Sequence, residues 1–406
     1  MLLYTFYFFA AISIYLGLLS LRGGVRFVRY LQQELAAEIP DYTPFATLFV
    51  PCRGVDVGLK ENILALFAQD YPAYEIIFVS DSADDPAFAV IEEARHSFQN
   101  QTGPVISTMV AGAATDSGQK VHNLRAAIRA AHRRSEVFVF ADTDARPQNF
   151  ALRALVAPLA DKSIGATTGY RWFVAAKAGL ASHLLSVWNA AIASALGARG
   201  DKNFCWGGAS AIRRETFERL RVAERWHGTV SDDFTLTRLL HEAGLPIKFV
   251  PHCLTPSFHR CTWPELIEFT TRQLKITRTY AAHLSKSVLM GSVIFVLTFF
   301  GGIGLVVVRT ASGLSFVTPL VILLLLFAMG AAKSHLRLHA VALVIDGELM
   351  RTWPTTLAHV CLWPFASVLF LYNALAASAS RRIKWRGITY ELKSPTETVI
   401  LSREIE

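Results

Sequence analysis

Val137-Phe138-Val139-Phe140-Ala141-Asp142-Thr143-Asp144 decides the fold. Its β-branched and aromatic residues, with Glu136 ahead of them, suit a pleated, buried strand, and the run stops abruptly at an acidic D-x-D. Residues i and i+2 of an extended chain point to the same side, so both carboxylates can address one hard cation. Open α/β sheets collect ligands at the carboxyl ends of their strands, which is where this pair stands. A D-x-D in a loop arises often by chance; one that closes an apolar strand carries more weight.

Working outward from Glu136–Ala141, similar short apolar runs read as strands at Ala46–Pro51, Tyr74–Ser80, Val105–Val110, Ile164–Gly169 and Ile247–Pro251. Helical patterns separate several of them, at Lys60–Ala68, Ala87–Ser97 and Lys120–Arg133. This alternation predicts an α/β domain over 43–284 with a largely parallel, nucleotide-binding sheet.

Two further strand or helix ends are acidic. The run Ile76–Ser80 leads into Asp81, suited to accept hydrogen bonds from a uracil or ribose, and then into Asp84 and Asp85, which suit the cap of a helix beginning at Pro86. Thr229-Val230-Ser231-Asp232-Asp233-Phe234 precedes the helical pattern Thr235–His241. Capping by Ser231 or Asp232 explains one acid and leaves a second. Asp233 is the candidate general base, since an acidic neighbour raises its proton affinity.

Both ends of the chain are apolar. Met1–Leu21 is free of charge and is followed by Arg22, Arg26 and Arg29, which predicts a membrane anchor over 1–22 whose C-terminal side faces the cytoplasm. A cleaved signal peptide is the competing reading, but no basic residue precedes the run and no A-x-A-like site follows it. A juxtamembrane segment, 23–42, leads into the α/β domain. Ser287–Val308, Ala311–Ala332 (ended by Lys333) and Trp353–Ser380 (bounded by Arg351 and Arg381) predict membrane helices over 285–380. The basic residues Arg381, Arg382, Lys384 and Arg386 argue that the tail, 381–406, stays cytosolic. Three full crossings would export it, so one segment, the last by preference, is expected to be re-entrant or interfacial.

Composition agrees. Of 406 residues, 52% are hydrophobic and 18% charged, with a mean hydropathy of +0.34, more apolar than a soluble domain tolerates. Forty Lys+Arg against 32 Asp+Glu give a net charge of +8, with the basic residues lying beside the apolar spans; this fits anionic headgroups or phosphates and argues against nucleic acid. Cys52, Cys205, Cys253, Cys261 and Cys361 are odd in number and contain no C-x-x-C pair, so no disulfide framework is expected. His252, Cys253, His259 and Cys261 match no standard zinc spacing.

In order and spacing these pieces resemble the A-type nucleotide-sugar transferases, in particular the ceramide glucosyltransferase branch and its bacterial lipid-glycosylating relatives. The likeness runs from the anchor through Val79–Pro86, Gln119–Leu124, Asp142-Thr143-Asp144 and Trp206-Gly207-Gly208-Ala209-Ser210 to Asp232-Asp233-Phe234, and the ending Ile383–Tyr390 is similar to the W-R-G tail of the bacterial relatives.

The resemblance implies a GT-A (Rossmann-like) fold and an inverting transfer of a glucose-like sugar from a UDP-sugar to a lipid hydroxyl at a bacterial inner membrane, assisted by Mg²⁺ or Mn²⁺. It implies Asp81 for the nucleoside, Lys120 near the diphosphate, Asp142 and Asp144 for metal and donor, Asp233 as base with Asp232 beside it, Gly207 and Gly208 for close backbone approach, and Trp206 on the acceptor side. The family's (Q/R)-x-x-R-W element corresponds to Arg272-Gln273-Leu274-Lys275-Ile276, with Arg278 just after. Lysine keeps the charge but loses the planar fork, and isoleucine cannot stack. A processive polysaccharide synthase needs that element intact, and an inactive scaffold would not need four acids; both are the alternatives to an enzyme acting on lipid.

Overall fold

Side chains alternating at period two build the central sheet of the computed structural model, which describes residues 1–98, 103–175, 179–258, 260–345, 347–350 and 352–404. His259 and Arg351 lie outside the described residues. Strands β1 (Ala46–Pro51), β2 (Tyr74–Ser80), β3 (Val105–Val110) and β4 (Val137–Ala141) run parallel, with the helices Leu59–Phe67, Pro86–Phe98 and Gln119–Ile128 as successive crossovers. Leu48, Val50, Ile76, Phe78, Val137 and Val139 pack on one face, and Phe49, Ile77, Val79, Phe138 and Phe140 on the other. Covered on both faces, β1, β2 and β4 have to be largely apolar, which is why they stand out in the sequence, whereas β3 at the edge of the sheet is mostly exposed.

Beyond β4 the sheet continues with β5 (Ala166–Phe173), β6 (Ala209–Arg213) and β7 (Ile247–Ser257), in the order β3-β2-β1-β4-β6-β5-β7. The fold is thus mixed α/β and GT-A-like, as expected, with one strand the sequence hid. β6 is short, follows two glycines, and runs antiparallel to both β4 and β5. Its first residue, Ala209, pairs with Ala141, the last of β4, so the turn Trp206–Gly208 is brought beside Asp142.

The tail is ordered as a second, antiparallel sheet of β8 (Arg382–Trp385), β9 (Ile388–Ser394) and β10 (Glu397–Arg403). Arg386 and Gly387 link β8 to β9 with φ of 50° and 71°, the left-handed pair that a tight hairpin requires. Tyr390 Oη accepts a hydrogen bond from Gln119 N (3.2 Å), and Arg403 Nη1 donates to Gln119 Oε1 (3.0 Å), so the tail supports the start of the helix that carries Lys120.

The chain divides into two compact units. One comprises Gln33–Trp172, Leu196–Ser257 and Arg381–Glu406 and contains both sheets; the other comprises Met1–Gln32, Phe173–Ala195 and Phe258–Ser380. Among the described residues, three helices are long and apolar enough to cross a membrane: Leu2–Ala36, all but its last turn in the second unit, and Ala282–Ala311 and Val317–Val341, both within it. Val317–Val341 continues two turns beyond the expected stop at Lys333. The stretch expected to be re-entrant or interfacial is two helices, Trp353–Cys361 and Trp363–Ala379, bent by 58° at their junction. Pro364, in the first turn of the second helix, has no N–H to continue the ladder from the first. Trp188 of the helix Leu180–Ala193 stacks on Phe370 at 5.1 Å within this unit's core.

Candidate functional site

The D-x-D turn is held from behind. Asn62 Nδ2 donates to the Thr143 carbonyl (2.9 Å), while Arg146 Nε donates to Asn62 Oδ1 (3.1 Å). With the backbone fixed, Asp142 and Asp144 project together and are bridged by one guanidinium: Arg171 Nη2 lies 3.1 Å from Asp142 Oδ2, and Nη1 lies 2.7 Å from Asp144 Oδ2. Arg171 also lies over the Trp206 ring, 4.9 Å from its centroid, a cation–π contact that fixes the guanidinium's plane.

Lys120, from the helix after β3, closes the other side. Its Nζ lies 2.8 Å from Asp142 Oδ1 and 3.4 Å from Asp232 Oδ2, and donates to the Gly207 carbonyl at 3.3 Å. Burial works against this ammonium, yet Asp142, Asp232 and Asp233 together hold its pKa above the usual lysine value. Four regions remote in sequence thus meet at the carboxyl end of β4: Lys120, the D-x-D, the Trp206–Gly208 turn and the Asp232–Asp233 helix start.

The two adjacent acids divide their work. Ser231 is the N-cap of the helix Asp232–Glu242, accepting from Phe234 N at 3.2 Å. Asp233 Oδ1 also accepts from Phe234 N (2.7 Å) and from the Ser231 hydroxyl. Asp232 is buried against Lys120. The pKa of Asp232 is pushed up to about 6, first by burial, with Lys120 opposing the rise and Asp233 and Asp142 adding to it. Because the folded value exceeds the ordinary 3.8, the native state holds the extra proton between about pH 4 and 6, and stability contributed by this group falls as pH rises through that window. The Tm of Asp232→Asn relative to the wild type should therefore climb from about pH 4 to 6 and then level off. A pH-independent difference in thermal melts would contradict this.

The glycines are required by the site's own side chains. A Cβ at Gly207 would stand 2.5 Å from Asp232 Oδ2 and 2.6 Å from Lys120 Nζ; one at Gly208 would stand 2.2 Å from the Trp206 ring. Gly207→Ala should therefore push Lys120 and Asp232 apart and lower turnover by about a hundredfold, a loss typical of misplaced catalytic groups, with the circular dichroism spectrum unchanged. Turnover within twofold of wild type would refute the crowding.

Asp81 is paired with Arg53, Nη1 to Oδ2 at 2.5 Å, at the end of β2. Asp85 caps the helix Pro86–Phe98, accepting from Ala87 N (2.9 Å), and also holds Gly54 N (3.0 Å); Asp84 stays exposed. Arg272, Gln273, Lys275 and Arg278 all lie on the helix Trp263–Tyr280 of the apolar unit. There Arg278 donates to the carbonyls of Ala377 and Ser378, Arg272 lies 3.9 Å from Glu268 and over Phe269, and Ile276 is buried. Sequence reasoning overlooked Arg171, Arg53 and Arg386, the last forming a two-bonded pair with Asp56 (2.8 and 2.6 Å). Arg171 was missed because Gly169 reads as the end of β5, whereas the strand runs on to Phe173.

The D-x-D suits a hard cation. Asp144 Oδ1 is buried without a hydrogen-bond partner, and both acids reach a single positive group. Among the described residues no third His, Cys, Asp or Glu joins them, so a cation here would need phosphate oxygens or water to complete its shell, the usual habit of Mg²⁺.

The class of the protein, a glycosyltransferase, follows from its family. The family model "glycosyl transferase family 21" matches residues 5–398, and the chain belongs to that family. Among solved structures it is similar to the mannosyltransferase PcManGT from Pyrobaculum calidifontis in complex with GDP-Man and Mn2+, at 17% identity and a TM-score of 0.47, covering 91% of this chain and 98% of that one. It is also similar to glucosyl-3-phosphoglycerate synthase from Mycobacterium tuberculosis in complex with Mn2+ and uridine-diphosphate-glucose, at 12% identity and a TM-score of 0.36, covering 63% and 83%.

Proposed function

We propose that the protein is an inverting, membrane-embedded glycosyltransferase that moves a glucose-like sugar from a UDP-sugar onto the hydroxyl of a membrane lipid such as a ceramide. The observation that carries this reading is the meeting of Asp142, Asp144, Lys120 and Asp232 around one point, in a family 21 chain whose other unit contains membrane-length helices. Arg22, Arg26 and Arg29 after the first span support a reading with the chemistry on the cytoplasmic side of a bacterial inner membrane, where nucleotide sugars are made.

In this reading Asp81 and Arg53 receive the nucleoside. Lys120 leaves its carboxylates to meet the diphosphate, with Arg272, Gln273, Lys275 and Arg278 as further donor-binding groups and Trp206 toward the acceptor. Asp142 and Asp144 would hold Mg²⁺ or Mn²⁺, which supplies counter-charge to the departing diphosphate. Asp233 takes the proton of the acceptor hydroxyl as its oxygen bonds to the anomeric carbon. The carbon–oxygen bond to the diphosphate breaks on the opposite face, and its electron pair leaves with the UDP. Asp232 keeps Lys120 oriented in the resting site.

Membranes containing the protein, incubated with radiolabelled UDP-glucose, should yield label soluble in chloroform–methanol. Ethanol-insoluble polymer instead would overturn the lipid acceptor in favour of a polysaccharide synthase.

A further inference from the structure

Two cations of the apolar unit have no acid paired with them among the described residues. Lys333 and Arg337 lie one turn apart on the helix Val317–Val341 and therefore share a face. Arg337 is only 9% exposed, and its Nε is buried without a hydrogen-bond partner. Lys333 donates to Ser20 Oγ. No ion pair forms at either residue among the described residues.

Among the described residues their surroundings are basic or neutral. His359, 1% exposed on the helix Trp353–Cys361, feels the charge of Arg337 and of His183, and its Nε2 lies 3.1 Å from Ser186 Oγ. A buried cation left without an anion is costly, and ionisable groups retained in membrane helices mark ligand sites. Snorkelling toward water would relieve an exposed lysine, but it does not relieve a guanidinium already enclosed.

Depth identifies the anion. Ser20 ends the charge-free run of the first helix, just before Arg22, and a Cβ at Gly24 would touch Lys333 Cγ at 3.5 Å, so the two helices pack closely at this level. The pair therefore lies where an apolar span meets headgroups, on the side where Arg22, Arg26 and Arg29 emerge. Guanidinium groups bind phosphate oxygens in a two-pronged geometry that fits a phosphodiester.

We propose that Lys333 and Arg337 bind the phosphodiester of an acidic phospholipid from the surrounding leaflet, a site separate from that for the sugar acceptor. The full-length protein, reconstituted in nanodiscs of phosphatidylcholine with or without phosphatidylglycerol, tests it. Phosphatidylglycerol should raise the wild-type Tm by a few degrees, as a ligand of the native state does, and should be retained in native mass spectra. Arg337→Met should be at least as stable as wild type in phosphatidylcholine alone, gain nothing from phosphatidylglycerol and retain several-fold less of it; Arg337→Lys should recover part of both. Equal destabilisation of Arg337→Met in the two lipids would reduce the residue to a packing role and overturn the proposal. So would inorganic phosphate reproducing the whole gain in phosphatidylcholine, since a soluble anion would then suffice.

Discussion

Asp142→Asn should lower kcat for sugar transfer by about a thousandfold or more, the scale seen when a preorganised charge is removed from an active site. The side chain keeps its shape but loses the charge that three cations share: Lys120 at 2.8 Å, Arg171 at 3.1 Å and the divalent ion the turn is proposed to hold. Lys120 would keep its ion pair with Asp232 and its bond to the Gly207 carbonyl but lose its shortest ionic contact, which ties its helix to the D-x-D. Asp144→Asn should be milder, because Asp144 answers Arg171 and the metal but not Lys120. Steady-state rates for both variants, with spectra confirming the fold, check the order. A loss below tenfold in Asp142→Asn would place the chemistry elsewhere.

Asp233→Asn should cost about a hundredfold to ten-thousandfold in kcat, the range supplied by general base catalysis, with the donor KM nearly unchanged. One of its oxygens is occupied by the helix cap, through Ser231 and Phe234 N, which fixes the carboxylate's direction while the other oxygen remains for a hydroxyl. Asp232→Asn should instead shift the donor KM, since Asp232 touches Lys120 rather than the acceptor. The reverse pattern, with kcat collapsing in Asp232→Asn alone, would exchange the two roles and make the acid whose pKa lies near 6 the base.

Much of the fold was legible because buried parallel strands must be apolar on both faces. β1 and β2 fall where their residue patterns place them and β4 starts one residue later; β3 also keeps its expected bounds, although it is an exposed edge strand. β6 escaped because Ala-Ser-Ala-Ile-Arg is short and small, and only its antiparallel register against β4 reveals what it does. The acids were legible as strand and helix ends. Their cationic partners were not, because an arginine inside a strand, such as Arg171, has no local signature; only the folded sheet shows which carboxylates it faces. The tail read as basic and cytosolic, yet Tyr390 and Arg403 bind Gln119, contacts across more than half the chain that no periodicity encodes.

Equilibrium binding of UDP-glucose to the purified full-length protein, with Mn²⁺ and then with excess chelator, measures the central claim most directly. Affinity that needs the metal in the wild type and disappears in Asp142→Asn is the expected result. Donor affinity indifferent to both metal and substitution, or no affinity for any nucleotide sugar, would contradict a metal-assisted glycosyl transfer at this site.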